Sequence, residues 1–442
     1  MTERLSAVVL AAGLGTRMRS RTPKHLHPLL GRRMVDWVVE AVRPLGPSPL
    51  VVVASPETAD AFGDDVRVAV QEHPLGTGDA ARVGADALGD EPGDVLVVAG
   101  DAALLTSELL QEVVAAHRET GPAATALSAE PSDPRAYGRI IRAHDGSLEA
   151  IVEASDATPE QLAVREVGTS IYVFRGDALR SALERLDAHN AQGELYLTDA
   201  VAHLAAAGER VLVHRATNAT LTEGVNTRAE LAAAAAVLRD RVNGAHMAAG
   251  VAIVDPASTW IDAGVEIEAD AVIHPFTLLR GRTLVATGAE IGPHTVVVDA
   301  EIGADALVGP FCYLRPQTSL AARAKAGTFV EIKNSRIGEG AKVPHLSYIG
   351  DAEIGEGTNV GAGGITVNYP HRQGPKGRTA IGRNVRTGVH NAFVAPVTIG
   401  DDAWIAAGSV ITDDVPAGAL AGFPPRQVTR EGYVYRESDS PD

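Results

Sequence analysis

The chain has 442 residues, 45% of them hydrophobic and 4% aromatic, with 45 glycines and a formal charge of −17. That length predicts two or three domains, and the acidic balance argues against nucleic acid or an anionic membrane as a partner. Cys312 is the single cysteine, so neither an internal disulfide nor a cysteine zinc site is expected, and it reads as a small buried residue. No apolar run approaches the ~18 residues of a membrane-spanning helix. The apolar run near the start is too short for a signal peptide and flows into a glycine turn, so a cytoplasmic location is expected.

The first predicted strand, Ala7–Leu10, leads into AAGLGTRMRSRTPKHLHPLLG, a glycine turn carrying Arg17, Arg19, Arg21 and Lys24. Glycines let backbone N–H groups approach an anion closely, and a helix start after the turn would add its dipole. Arg17 offers a planar fork and Lys24 a point charge to phosphate oxygens. The spacing does not fit a P-loop, which ends in GKS or GKT. Further strands are predicted at Leu50–Val53, Val95–Val98 and Ser170–Phe174, with amphipathic helices such as Met34–Val42 and Ser107–Arg118 between them. Alternation of this kind predicts a mostly parallel sheet covered by helices, with ligand loops at the carboxyl ends of the strands. TRAELAAAAAVLRDRVN, residues 227–243, reads as one helix leaving this domain.

After about Ala248 the pattern changes. Ile or Val precedes Gly repeatedly, as at Ile302-Gly303, Val308-Gly309, Ile354-Gly355 and Val360-Gly361, and Phe393, Ile399, Ile405 and Ile411 keep a step of six. A six-residue period marks a β-helix, in which each short strand points one aliphatic residue inward. Residues 250–422 predict roughly nine coils of three steps each, and the flat sides of such a solenoid suit a symmetric oligomer.

LAAGLGTRM followed by PKHLHPLLG resembles the signature of sugar-1-phosphate nucleotidyltransferases. With the later repeats, the chain from about Ala7 to Gly432 resembles the bifunctional bacterial N-acetylglucosamine-1-phosphate uridylyltransferase/glucosamine-1-phosphate acetyltransferase family. The resemblance implies an α/β nucleotidyltransferase domain (Rossmann-like, mostly parallel sheet) over residues 1–226, a helical linker over 227–248, and a left-handed parallel β-helix acyltransferase domain with a C-terminal tail over 249–442. It implies UTP, sugar 1-phosphate and acetyl-CoA as small-molecule substrates, Mg2+ as cofactor, and a homotrimer.

The family's site residues carry over position by position. Leu10, Ala11, Ala12 and Gly13 would lie against the uracil and ribose, Arg17 and Lys24 against the phosphates, and Gln71, Gly76 and Thr77 of QEHPLGTGDA against the uracil edge. An amide and backbone groups can match the acceptor–donor–acceptor edge of uracil. Asp101 and Asn226 would hold Mg2+, a set of one carboxylate and one amide oxygen completed by phosphates and water. Gly138, Glu153, Gly168 and Asn226 would meet the first sugar. In the second half, His345 would be the catalytic base, Arg315 and Lys333 would grip the sugar phosphate, and Tyr348 and Asn359 would position the sugar or the oxyanion. Ala362, Asn368, Tyr369 and Ala407 would contact acetyl-CoA.

Several positions depart from the family's pattern. Leu14 replaces a lysine, Ala103 a proline, Ala99 a tyrosine or polar residue, and the usual NTG reads GTS, so Gly168 replaces an asparagine. In the second half NYPHRQGPKGR makes a longer loop, Val389-His390 replaces a Ser-Asp pair, and Arg426 lies out of step with the family's C-terminal arginine. Two other readings stay open on these residues: a nucleotidyltransferase for a different sugar 1-phosphate with a weakened or altered acyltransferase half, and a non-catalytic trimeric scaffold.

Overall fold

The computed structural model describes residues 4–89, 93–134, 137–369, 374–422 and 427–433. The chain forms two compact units, Met1–Leu238 and Arg239–Asp442. The first is built on strands β1 (Leu5–Ala11), β2 (Leu50–Ala54), β3 (Arg67–Val70), β4 (Asp94–Ala99), β5 (Ala124–Ala129), β6 (Arg139–Arg142), β7 (Leu148–Val152), β8 (Val167–Arg175) and β9 (Val211–Arg215). The main sheet runs β9-β5-β8-β4-β1-β2-β3, with β6 and β7 as a side ribbon on β8. β1 pairs in parallel with β2 and β4, while β8 is antiparallel to both β4 and β5. The expected strand at Ser170–Phe174 is therefore the reversed strand of a sheet that is otherwise mostly parallel.

All seven residues of β1 are buried, as a central strand covered on both faces requires. Val8 and Leu10 point to one face, where α2 (Thr77–Leu88) packs with the helices Gly176–Leu183 and Leu197–Ala206. Ala7, Val9 and Ala11 point to the other, against α1 (Met34–Val42) and the helix Ser107–Thr120. The alternation is the period of two that sorts strand side chains between faces. The alanine-rich helix expected at 227–243 runs from Arg228 to Ala248.

In the second unit the six-residue step becomes a three-sided coil. Three stacks of short parallel strands form, one of them nine strands tall, which matches the expected nine turns and the left-handed β-helix architecture. One large aliphatic residue per step enters the core, as in the column Leu314, Ile332 and Ile349, and in many steps a buried alanine lies two positions before it, as Ala306 does before Val308. Cys312 is buried among them, donates from Sγ to the Val330 carbonyl, and has its thiol pushed by burial up to about 12. Corners turn through left-handed residues: Asp270, Asp305 and Asp402 on one edge, Asp299, Asn334 and Asp351 on a second. Asp and Asn tolerate that conformation because their short side chains bond locally. Among the described residues no helix is long and apolar enough to cross a membrane.

The column predicts its own sensitivity. Ile332 is fully buried, so Ile332→Ala should cost about 2–5 kcal/mol. Hydrogen exchange should then quicken at the amides of residues 314–349 and stay unchanged in β1.

Candidate active sites

At the carboxyl ends of β1 and β4 the first unit opens a cavity of about 760 Å3. Its wall carries Leu10, Ala12, Gly13, Arg17 and Lys24 from the opening loop, Gln71, Gly76 and Thr77 ahead of α2, and Asp101 after β4. Gly138, Glu153, Gly168 and Asn226 complete the set expected from the sequence. Ala11 does not join them: it faces the α1 side of the sheet, one strand position out of phase with Leu10 and Ala12.

The basic turn folds back on itself. Gly15 adopts φ 62, and a Cβ there would collide with the Lys24 side chain. The turn does not lead into an α-helix as the sequence suggested. It makes 3-10 turns at Thr16–Met18 and Lys24–Leu26, and α1 starts only at Met34. Pro23 immediately before Lys24 and the left-handed Gly15 keep the segment too tight for a regular helix. Positive charge here comes from side chains rather than a helix dipole.

Lys24 is nearly buried, and its Nζ donates to Asp101 Oδ2 at 2.6 Å and to Asn226 Oδ1 at 3.1 Å. Arg17 donates to the same Asn226 oxygen at 2.9 Å. Burial drives the Asp101 carboxyl upward, but the Lys24 ammonium and the adjoining His25 outweigh it and hold the group below the usual carboxylate range. His25 is itself pushed down to about 4 by burial and then by Lys24, so a neutral imidazole packs beside Gly13 and Gly100. Asn226 is brought in by its own loop. Val225 N–H donates to the Asp101 carbonyl, Gly224 N–H to the Tyr137 hydroxyl, and Asn226 and Thr227 N–H to Glu230. A Cβ on Gly224 would lie 3.1 Å from the Asp101 carboxylate, which explains the glycine there.

Two oxygens converging on one cation form a donor set of the kind Mg2+ takes. Among the described residues no cluster of three or more His, Cys, Asp or Glu side chains exists for a metal. A protein share of one carboxylate and one amide oxygen suits an ion that keeps water and substrate phosphates as its other ligands.

Gln71 is buried, and its Nε2 donates to Asp79 and to the Gly76 carbonyl. That orientation leaves Oε1 as the acceptor. Gly76, at φ 111, packs so closely on Leu195 that a Cβ would lie 2.5 Å from its carbonyl oxygen, and Gly78 N–H donates to the same carbonyl. On the opposite wall Glu153 accepts from the Thr198 hydroxyl at 3.1 Å. Burial raises its pKa, with Asp199, Asp156 and Glu194 adding to the rise against that hydrogen bond. Cβ atoms on Gly138 and Gly168 would each lie 3.0 Å from Ile151 Cγ2, so an asparagine at 168 would have to displace Ile151.

In the second unit the expected residues lie on successive coils. Tyr313, Glu331 and Tyr348 form one register column, and Lys333 pairs with Gly350 in the neighbouring one. Arg315 donates to Glu331 at 2.9 Å and lies over the Tyr313 ring at 5.9 Å. Lys333 sits beside Lys376, whose ammonium holds its pKa below the ordinary lysine value. Asp351 lies beneath this pair, accepting from Asn334 and Asn368, and Asn368 reaches the Tyr348 hydroxyl at 3.4 Å. Burial would raise the Asp351 carboxyl, but those amides and the two lysines keep it low. His345 is exposed at the end of its strand, one corner before Tyr348, and the intervening Leu346 is left-handed at φ 49. Asn359 bridges Lys342 and Arg386. Ala362 follows one coil after His345, with its carbonyl held by His390 N–H. Tyr369 is 75% exposed, and Ala407 packs against Gly388. Residues 370–373 of the longer loop, and Arg426, lie outside the described residues.

Sequence reasoning missed His25, Tyr137, Thr198, Lys376 and Asp351. Tyr137 directly precedes Gly138 in YGRI, and Lys376 is the lysine of the longer loop NYPHRQGPKGR. Neither has a spacing that announces a site, because each joins it through contacts with chain that is remote in sequence.

A family profile described as the MobA-like NTP transferase domain matches residues 7–204. The chain is 48% identical to "Bifunctional protein GlmU" of Mycolicibacterium vanbaalenii, over 98% of this chain and 93% of that protein. It is 47% identical to the protein of the same name from Mycobacterium tuberculosis, over 98% and 92% of the two chains. The corresponding figures for Mycobacterium marinum are 47%, 96% and 92%.

The raised pKa of Glu153 has a stability consequence with a definite sign. Folding favours its neutral form, so the folded state is penalised as pH rises above the ordinary glutamate value of 4.5 and not below it. Glu153→Gln should raise the melting temperature of the first unit by roughly 1–4 °C at neutral to alkaline pH. The gain should vanish toward pH 4.5, as calorimetry across a pH series will show.

Proposed function

The chain belongs to the family of the bifunctional GlmU proteins, and from that premise we propose which residues carry its two reactions. It is a sugar-1-phosphate uridylyltransferase and an amino-sugar-phosphate N-acetyltransferase. The first unit transfers UMP from UTP to N-acetylglucosamine 1-phosphate, and the second acetylates glucosamine 1-phosphate from acetyl-CoA.

In the first site a phosphate oxygen of the sugar 1-phosphate attacks the α-phosphorus of UTP, and the bond to the β-phosphate breaks to release pyrophosphate. Gln71 Oε1 accepts from the uracil N3–H, its orientation set by Asp79 and the Gly76 carbonyl. The nucleoside lies along Leu10, Ala12 and Gly13, while Gly138, Glu153 and Gly168 bound the sugar. Arg17 and Lys24 offset charge on the phosphates as it shifts toward the leaving group. Asp101 and Asn226 would hold Mg2+, which would supply positive charge to offset that of the phosphates. The observation that carries this reading is the nearly buried Lys24 ammonium shared between Asp101 and Asn226. It brings together three loops whose residues are 77 and 202 positions apart.

In the second site His345 takes a proton from the sugar ammonium, and the freed amine attacks the thioester carbonyl. The C–S bond then breaks, coenzyme A leaves as its thiol with the proton from the imidazole, and the second amine proton passes to solvent as the amide forms. Arg315, Lys333 and Lys376 receive the sugar phosphate, with Asp351 and Glu331 holding the cations in place. Tyr348 and Asn359 position the sugar or the oxyanion. Ala362, Asn368, Tyr369 and Ala407 meet acetyl-CoA.

A homotrimer is supported by one corner of the coil. Phe276, His294, Phe311 and Phe329 stack along it with ring centroids 4.7, 4.9 and 5.2 Å apart. The three phenylalanines are 52%, 47% and 56% exposed, and all four residues are left-handed. Bulky side chains held in that region and open to water mark an interaction surface. UTP and acetyl-CoA are cytosolic metabolites, which supports a cytoplasmic location.

Two measurements test this. Asp101→Ala should lower UDP-sugar formation by roughly 100-fold or more and leave acetyl transfer intact, while His345→Ala should do the reverse. Loss of both activities in either variant would contradict the assignment. Phe311→Glu should shift the oligomer to monomer in sedimentation velocity, and an unchanged trimer would remove that corner from the interface.

A further inference from the structure

The wall of the first cavity contains a residue that the reaction described above does not use. β8 does not run straight past the sugar end of the site. Gly168 pairs with Ser128, but the next paired residue is Tyr172, opposite Ala126. Four steps along β8 thus span two along β5, and the surplus backbone bulges. Thr169 stays inside, where its hydroxyl donates to the Leu127 carbonyl at 2.8 Å. Ser170 is thrown outward with φ 57, is exposed, and lines the cavity. Bulges next to ligand sites commonly re-aim one side chain in this way.

Three further facts concern what that side chain meets. A left-handed serine within a strand is conformationally unfavourable where glycine would be unstrained. Among the described residues the Ser170 hydroxyl has no hydrogen-bond partner, so nothing within the fold accounts for a serine where the family's NTG has glycine. One step beyond the last paired residues, Ile171 and Val98, the antiparallel register puts Ser170 beside Ala99, whose small side chain leaves the cavity open there. Gly168, the residue of this strand expected to face the sugar, brings no polar group at all.

We propose that Ser170 is a specificity-determining residue of the uridylyltransferase site, its hydroxyl hydrogen-bonding the pyranose of the sugar 1-phosphate. A hydroxyl both donates and accepts, so it can pair with a ring hydroxyl from this position. The inference rests on the uridylyltransferase reading of the cavity. It accounts for a polar wall where Gly168 and Ala99 leave none, and it makes the bulge the device that delivers the contact.

Ser170→Gly is the decisive variant because it removes the hydroxyl and relieves the backbone together. A folding defect is thereby separated from a lost contact. The variant should melt at or above the wild-type temperature, raise KM for N-acetylglucosamine 1-phosphate by roughly 3- to 10-fold, and leave KM for UTP within about twofold. Ser170→Ala, which keeps the backbone conformation, should show the same rise. An active wild type whose sugar KM is unchanged in Ser170→Gly would overturn this inference alone. A wild type that forms no UDP-sugar would overturn the site reading and this inference with it.

Discussion

The first site depends on a single ammonium group. Lys24 Nζ lies 2.6 Å from Asp101 and 3.1 Å from Asn226, and the three residues come from the opening turn, the end of β4 and the loop before the long helix. A buried ion pair is a weak stabiliser on its own, since desolvation offsets much of its Coulomb gain, yet removing one partner strands a charge. Its contribution here is geometric. It forces two oxygens toward one point and fixes the register of the glycine turn, whose Gly15 admits no side chain because Lys24 fills the space. Loop 222–226 repeats the tie in backbone, through Val225 on the Asp101 carbonyl.

The architecture was largely legible in the sequence because both units announce their periods. Strands such as Leu50–Ala54 fell within a residue of their expected ends, and Met34–Val42 formed as read. The six-residue step of Ile and Val translated directly into inward columns, with a small residue such as Ala289, Ala306 or Ala341 buried two positions earlier. What the sequence obscured were features decided by distant contacts. The opening loop reads as a helix start by local rules, but Pro23 and the return of Lys24 beneath Gly15 override them. Ala11 was placed on the ligand side by resemblance to the family's motif, although strand alternation sends its side chain to the opposite face. Asp351 and Lys376 carry no local signal, and only the coil sets them against Lys333.

The coil corners show the same competition between local preference and long-range demand. On two edges the left-handed positions are filled largely by Asp, Asn and Gly, residues that take that conformation at little cost. On the third they are filled by Phe276, His294, Phe311, Phe329 and Leu346. The local rule would reject these, and the first four stack on one another along the edge. This edge departs from the local rule at five consecutive turns.

A protein of net charge −17 has to bind phosphates without presenting bare positive charge to an acidic body. The two candidate sites meet this demand in the same way. In the first, Lys24 is matched by Asp101; in the second, Arg315 is matched by Glu331, and Lys333 and Lys376 by Asp351. Without ligand Lys24 and Arg315 are each paired with a carboxylate, and Lys333 and Lys376 share the field of Asp351. A phosphate then exchanges one anionic partner for another instead of ordering free lysines and arginines. Because the Asp101 and Asp351 carboxyls are held below the usual range, they remain ionised and keep the cations aligned throughout the pH range in which phosphate esters are doubly charged.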